Sequence, residues 1–188
     1  GDVYKRQEQA LGKIGYSLSL HLITDYELSN QLLPASFHIQ NTDAILALEI
    51  FNRNYCEFLC TLGKPILFSD IYSTFTQGDL SADILVADNY TASVKLYSSV
   101  IEDCKPKSIG FLGDPDYSLS FQDRFKGFLS VTQKYGFSDS YKNHSIISNI
   151  QNFQNDIWMQ NKFKTLEIPN LLVCANDILA MKALTCLE

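Results

Sequence analysis

Five short apolar runs, each bounded by turn-forming residues, set what this chain can fold into. Ala44-Ile45-Leu46-Ala47-Leu48, Pro65-Ile66-Leu67-Phe68, Ile84-Leu85-Val86-Ala87 and Leu171-Leu172-Val173-Cys174 are unbroken, and Ile109-Gly110-Phe111-Leu112 contains a single glycine. A strand with one wet face alternates apolar and polar residues, whereas an unbroken run needs cover on both faces, as in a parallel sheet. The stretch Ser17-Leu18-Ser19-Leu20-His21-Leu22 alternates strictly, which predicts a half-exposed strand at a sheet edge.

Helical stripes lie between the runs. Phe51, Tyr55, Phe58 and Leu62 recur at helical spacing, with Gly63 and Pro65 as the stop. Tyr90, Val94, Tyr97 and Ile101 repeat the stripe behind Asp88-Asn89, either of which can cap it. Phe121, Phe125, Phe128, Thr132 and Tyr135 make a third, predicted to start behind Ser120, with Asp123 three residues on, and to end at Gly136. Asn176-Asp177 opens a last helix through Leu184 and Leu187, and a helical stretch between Glu27 and Gln40 is interrupted by Pro34. Strand–helix alternation at this rhythm predicts right-handed βαβ units and an α/β fold with parallel sheets flanked by helices.

Charge narrows the function. The 188 residues carry 15 Lys+Arg against 21 Asp+Glu, a net charge of −6, and Lys105 with Lys107 is the densest basic pair. Gripping nucleic acid requires clustered cations, so DNA is expected as a partner only through a domain outside these residues. The apolar runs fall far short of the roughly 20 residues of a membrane-spanning helix, and no membrane partner is expected. Five cysteines without C-x-x-C spacing point to a reducing, cytoplasmic setting, and three scattered histidines give no metal-site spacing. No G-x-G-x-x-G or P-loop follows any strand, so no cofactor is expected. Asp114 and Asp116 make a weak acid/base pair with no histidine close in sequence, and no catalytic residue is assigned. Residues 1–7 lack the apolar core of a signal peptide and fit no element.

In such sheets ligands bind beyond the carboxyl ends of the strands. Three polar turns follow apolar runs there: Val86-Ala87-Asp88-Asn89, the stretch from Gly113 to Ser120, and Cys174-Ala175-Asn176-Asp177. Arg124 lies one turn into the helix after the second. Asp88, Ser120 and Asp177 are equally good helix caps, and the aromatic stripes are core positions.

Taken together these segments resemble a known order of motifs. Gly63-Lys64-Pro65-Ile66-Leu67-Phe68-Ser69-Asp70 is similar to "G-x-P-V-V-x-x-D", and Ile84-Leu85-Val86-Ala87-Asp88-Asn89 to "V-x-x-D-N". Ile109-Gly110-Phe111-Leu112-Gly113, then Ser120-Phe121-Gln122-Asp123-Arg124-Phe125-Lys126-Gly127-Phe128, resemble "I-x-F-L-G … S-x-x-x-R-x-x-G-F". Val173-Cys174-Ala175-Asn176-Asp177-Ile178-Leu179-Ala180 resembles "V-x-A-N-D-x-x-A". From about Glu8 onward the order resembles the effector-binding domain of LacI/GalR-type transcriptional regulators, a periplasmic-binding-protein-like fold.

That resemblance implies two Rossmann-like subdomains, residues 1–104 and 105–188, with a small-molecule cleft between them. It implies Asp88, Arg124 and Asn176 as ligand contacts, with Ser118, Ser120 and Tyr117 as secondary candidates. A carboxylate, a guanidinium and an amide suit sugar hydroxyls, which both donate and accept. The implied function is ligand sensing by a bacterial repressor that controls a helix-turn-helix elsewhere in a homodimer; the alternative is a periplasmic sugar-binding protein of an ABC transporter. The resemblance also implies a piece truncated at both ends, lacking an opening strand and the family's last ligand-contacting aspartate. The family's Gly-His before the "I-x-F" strand is Lys105-Pro106 here, and Ile150 stands where a ring-stacking aromatic is often found.

Overall fold

The computed structural model describes residues 2–75 and 78–187. It divides into two compact units, Gly1–Thr42 and Asp43–Glu188.

The first unit holds helix α1 (Asp2–Gly12), helix α2 (Asp25–Asn30) and a 3-10 turn at Ile39–Asn41. Residues 2–7, expected to fit no element, are therefore helical, and Gly1 lies outside the described residues. Thr24 and Glu27 form a reciprocal capping box that fixes the start of α2. Gln31 closes the helix in the left-handed region, φ 52°, short of Pro34. The expected edge strand at 17–22 is absent. Its backbone pairs with no strand among the described residues, and Leu20 and Leu22 are 73% and 82% exposed. Alternation specifies a strand only when a neighbour supplies a ladder and a face to bury. His21 is instead tied locally, its Nδ1 3.1 Å from Ser36 Oγ and its ring edge-on to Phe37.

The second unit is built on two parallel three-stranded sheets. In the first, β1 (Ile45–Ile50) and β3 (Asp83–Leu85) flank β2 (Ile66–Ile71), with helix α3 (Arg53–Cys60) between β1 and β2 in sequence. In the second, β5 (Ile146–Ile147) and β6 (Leu171–Cys174) flank β4 (Ile109–Gly113). The helices are α4 (Asn89–Cys104), α5 (Leu119–Tyr135), α6 (Ile150–Gln154), α7 (Asp156–Thr165) and α8 (Asp177–Leu187). All five apolar runs thus became strands. The parallel α/β class is as expected.

Every residue of β4 is buried, as cover on both faces requires, and Phe111, Phe128, Phe153 and Met159 fill the core around it. Leu46 and Leu85 of the first sheet are exposed. Helix α4 follows the first sheet in sequence, yet Tyr97 and Ile101 belong to the core cluster of the second. It crosses α5 closely: a Cβ on Gly127 would lie 2.8 Å from Ser93 Cβ and 3.3 Å from the Tyr90 carbonyl oxygen. Gly136 ends α5 as expected.

Burial also sets the thiol chemistry. It pushes the Cys56 thiol up to about 12, with Cys60 and Glu57 adding to the effect, and the Cys174 thiol up to about 11. A raised value leaves less thiolate at any working pH, and the thiolate is the nucleophile. At pH 8 iodoacetamide is expected to label the exposed Cys104 first, with Cys56 and Cys174 modified only after denaturant is added. Peptide mass spectrometry reads the order directly; early labelling of Cys56 would contradict its buried placement.

Candidate functional site

The polar turns at the carboxyl ends of the two sheets meet within the second unit. After β4 the chain makes a tight loop built on Asp114, which is 6% exposed. Its Oδ1 accepts from the Asp116 backbone N–H at 3.1 Å, and its Oδ2 accepts from the Ile150 N–H at 2.6 Å, which fastens the loop to the start of α6. From the turn that follows β2, Ser73 Oγ donates to the Asp116 carbonyl at 2.5 Å.

The next link is Asp70. Its Oδ1 accepts from the Ser120 N–H at 3.2 Å, and its Oδ2 accepts from the Ser120 hydroxyl. Ser118 and Ser120 hydroxyls lie 2.9 Å apart, and Ser118 Oγ accepts from the Phe121 N–H. The cap of α5 is therefore Ser118, not Ser120 as expected: Ser120 is drawn to a carboxylate fifty positions away, and the earlier serine takes the first-turn donor. Asp70 is in the left-handed region, φ 53°, as is Glu49, φ 55°. The partners Leu48↔Ser69 and Ile50↔Ile71 make these two residues neighbours in adjacent strands. Such a conformation costs a non-glycine residue of order 1 kcal/mol, so it persists only where its surroundings hold it.

Arg124 gathers the remaining turns. Its Nη1 donates to the Ala175 carbonyl at 2.6 Å, and its Nε donates to Asn89 Oδ1 at 3.2 Å. Ala175 precedes Asn176 and Asn89 follows Asp88, so one guanidinium spans the two other turns. Asp88 and Asn176 themselves act as helix caps: Asp88 Oδ1 accepts from the Thr91 N–H at 3.0 Å, and Asn176 Oδ1 accepts from the Leu179 N–H at 2.9 Å. Asp177 Oδ1 accepts from the adjacent Ile178 N–H. Capping and ligand contact are compatible, since each cap uses one atom and leaves Asp88 Oδ2 and Asn176 Nδ2 without a protein hydrogen bond among the described residues.

An aromatic line runs beside this polar crest. Tyr117 lies 4.6 Å from Phe51 and 5.4 Å from Phe121 between ring centroids, and the Arg124 guanidinium sits 5.9 Å from the Phe121 ring. Burial raises the Tyr117 phenol above its ordinary value, and the carboxylates of Glu49, Asp114 and Asp70 add to the rise. Sequence reasoning overlooked Asp70, Asn89, Phe51 and Glu49 as site residues. Asp70 and Glu49 carried a usable signal, being carboxylates at the carboxyl end of an apolar run; the partners of Asn89 and Phe51 are long-range. Among the described residues no group of three or more His, Cys, Asp or Glu side chains can hold a metal ion, and no helix is long and apolar enough to cross a membrane.

No protein-family model matches the sequence. No curated protein matches it either. Solved structures do. A transcriptional regulator LacI from Bacillus cereus subsp. cytotoxis superimposes with a TM-score of 0.65 at 16% identity, over 97% of this chain and 64% of that one. The fold is periplasmic-binding-protein-like.

Two other structures of this fold agree. A PurR family transcriptional regulator from Vibrio parahaemolyticus gives a TM-score of 0.56 at 18% identity, over 95% of this chain and 66% of that one. A periplasmic binding protein/LacI transcriptional regulator from Alkaliphilus metalliredigens, complexed with D-xylulofuranose, gives 0.55 at 14% identity, over 87% of this chain and 53% of that one. The chain thus spans between about half and two thirds of the length of its periplasmic-binding-protein-like neighbours.

Proposed function

We propose that this chain is the ligand-sensing domain of a bacterial, cytoplasmic transcriptional repressor that binds a sugar or a close relative and catalyses nothing. The effector sits on the crest bounded by Asp88, Arg124 and Asn176, with Ser118, Ser120 and Tyr117 beside it. One observation carries the reading: the Arg124 guanidinium joins the residue after Asp88 to the residue before Asn176, which brings three turns from distant parts of the sequence to one place. In support, the Alkaliphilus neighbour is described in complex with a sugar.

Ring hydroxyls pair with the open atoms of Asp88 and Asn176, and a ligand that lacks one hydroxyl leaves a partner unsatisfied, which is the source of selectivity. The two sheet-bearing halves, 1–104 and 105–188 with α4 lent to the second core, change their relative orientation when the effector prefers one arrangement by a few kcal/mol. A homodimer passes that change to helix-turn-helix heads outside this chain.

Titration calorimetry of the full-length protein with D-xylulose, D-xylose, D-ribose, D-galactose and D-glucose tests the reading. At least one is expected to bind with a Kd in the micromolar range or tighter; no binding by any of them overturns it. A transporter's periplasmic sugar-binding protein is the second reading, favoured by the double description of the Alkaliphilus neighbour. A signal peptide encoded upstream would select it, and a helix-turn-helix there would select the repressor.

A further inference from the structure

We infer that the groove between the open edge of β5 and helix α7 is a docking surface for an extended, carboxylate-bearing peptide segment of a partner protein. The inference is independent of ligand sensing, because none of the site residues named above lines this groove.

The sheet order β5-β4-β6 makes β5 an edge strand, paired with β4 on one side. The Ser148 N–H bonds back to the Gly113 carbonyl at 3.3 Å. Successive residues of a parallel strand turn their N–H and C=O groups to opposite sides, so Ile147 directs both of its groups away from β4. Neither has a hydrogen-bond partner among the described residues, and Ile147 is 44% exposed. An open edge of this kind is the template on which a second chain adds as a strand. Opposite it stands one face of α7. Met159 and Phe163 are the core positions of that helix, and Trp158, Lys162 and Thr165, spaced four and three apart, line the groove beside them. The buried Phe153 holds Trp158 edge-on, with ring centroids 5.6 Å apart, so this wall is in place before anything docks. Strand edge and helix face bound about 240 Å³, less than the roughly 300–1,000 Å³ of a small-molecule pocket. So small a groove beside an unpaired strand suits a short stretch of extended chain.

Charge selects the kind of chain. Among the residues lining the groove, Lys162 alone is charged. Its ammonium lies 5.5 Å from the Trp158 ring centroid and has no carboxylate partner among the described residues. Lys126, Lys134 and Lys182 each meet an acidic side chain within 4 Å, so Lys162 differs from them in lacking a counter-ion. A carboxylate on the visiting segment, from an acidic side chain or from its C-terminus, supplies that counter-ion. Its backbone pairs with Ile147, and an apolar side chain beside the carboxylate covers Trp158 and Ile147.

The test selects linear peptides from a random phage-displayed library on the full-length protein and measures the synthetic winners by fluorescence anisotropy. Enriched peptides are expected to carry a carboxylate and to bind with a Kd of roughly tens to hundreds of micromolar, as one short strand edge allows. Lys162→Glu reverses the charge of an exposed side chain and is expected to weaken them at least about tenfold. N-methylation of one backbone amide of the peptide, which removes the N–H that pairs with the Ile147 carbonyl, is expected to do the same. Amidating the peptide C-terminus separates the two carboxylate sources: binding that survives assigns the charge to an acidic side chain, and binding that is lost assigns it to the terminus. No enrichment overturns the inference. So do winners whose affinity is unmoved by Lys162→Glu, and winners that tolerate N-methylation at every position. None of these outcomes touches the sensing function, which the sugar titrations decide.

Discussion

Gly110→Ala is expected to abolish stable folding of the second sheet, the largest single-residue effect in this chain. A Cβ at Gly110 would lie 1.7 Å from the His144 carbonyl oxygen and 2.6 Å from its carbonyl carbon. Neither side can yield. Gly110 sits in the wholly buried central strand β4, and His144 is fixed through Nδ1, 2.8 Å from the Glu167 carbonyl. The following residue is also held, since Ser145 Oγ accepts from the Phe111 N–H and donates to the Tyr141 carbonyl. Strand and turn must separate, so a loss of about 4 kcal/mol or more is expected, large enough to cancel much of an ordinary domain's stability. Urea unfolding followed by circular dichroism measures it. Gly12→Ala, where nothing lies within 4 Å of the added carbon, is the control and should leave the midpoint within a few tenths of a molar. A Gly110→Ala midpoint equal to the control's would contradict the close approach.

Arg124→Ala carries the second large effect, on both stability and binding. The Ala175 carbonyl is buried, Ala175 being 1% exposed, and it loses a charge-assisted donor at 2.6 Å. Stranding that oxygen costs about 1–3 kcal/mol, visible as a fall in Tm. Effector affinity is expected to drop at least roughly a hundredfold, because the turns bearing Asp88 and Asn176 lose their common tie. Arg124→Lys keeps the charge without the planar fork and should recover less than half of the binding free energy. The two readouts separate the roles: lower Tm with unchanged affinity makes Arg124 a structural clasp only.

The parallel strands were legible because an unbroken apolar run has few other uses in a chain with this little charge. The α3, α4 and α5 stripes were legible for the same reason. The stretch at 17–22 misled because period two describes a strand's faces and not its partner. Strand β5 has two residues and α6 five, too few for any period to register. At the site, Asp88, Arg124 and Asn176 were visible as polar residues at strand ends, but their bonds were not. Ser120 looks like a cap from its neighbours alone; only the contact with Asp70, across fifty positions, explains why Ser118 does that work instead. The left-handed turns at Glu49 and Asp70 carry no glycine to announce them.

Helix α4 has its lower half anchored in the core of the second sheet although it continues directly from the first. Only residues 86–88 separate β3 from that anchored helix. That short link and Asn89, the residue held by Arg124, are consecutive in the chain. On the proposed function, a molecule resting against Asp88 would bear directly on that three-residue link.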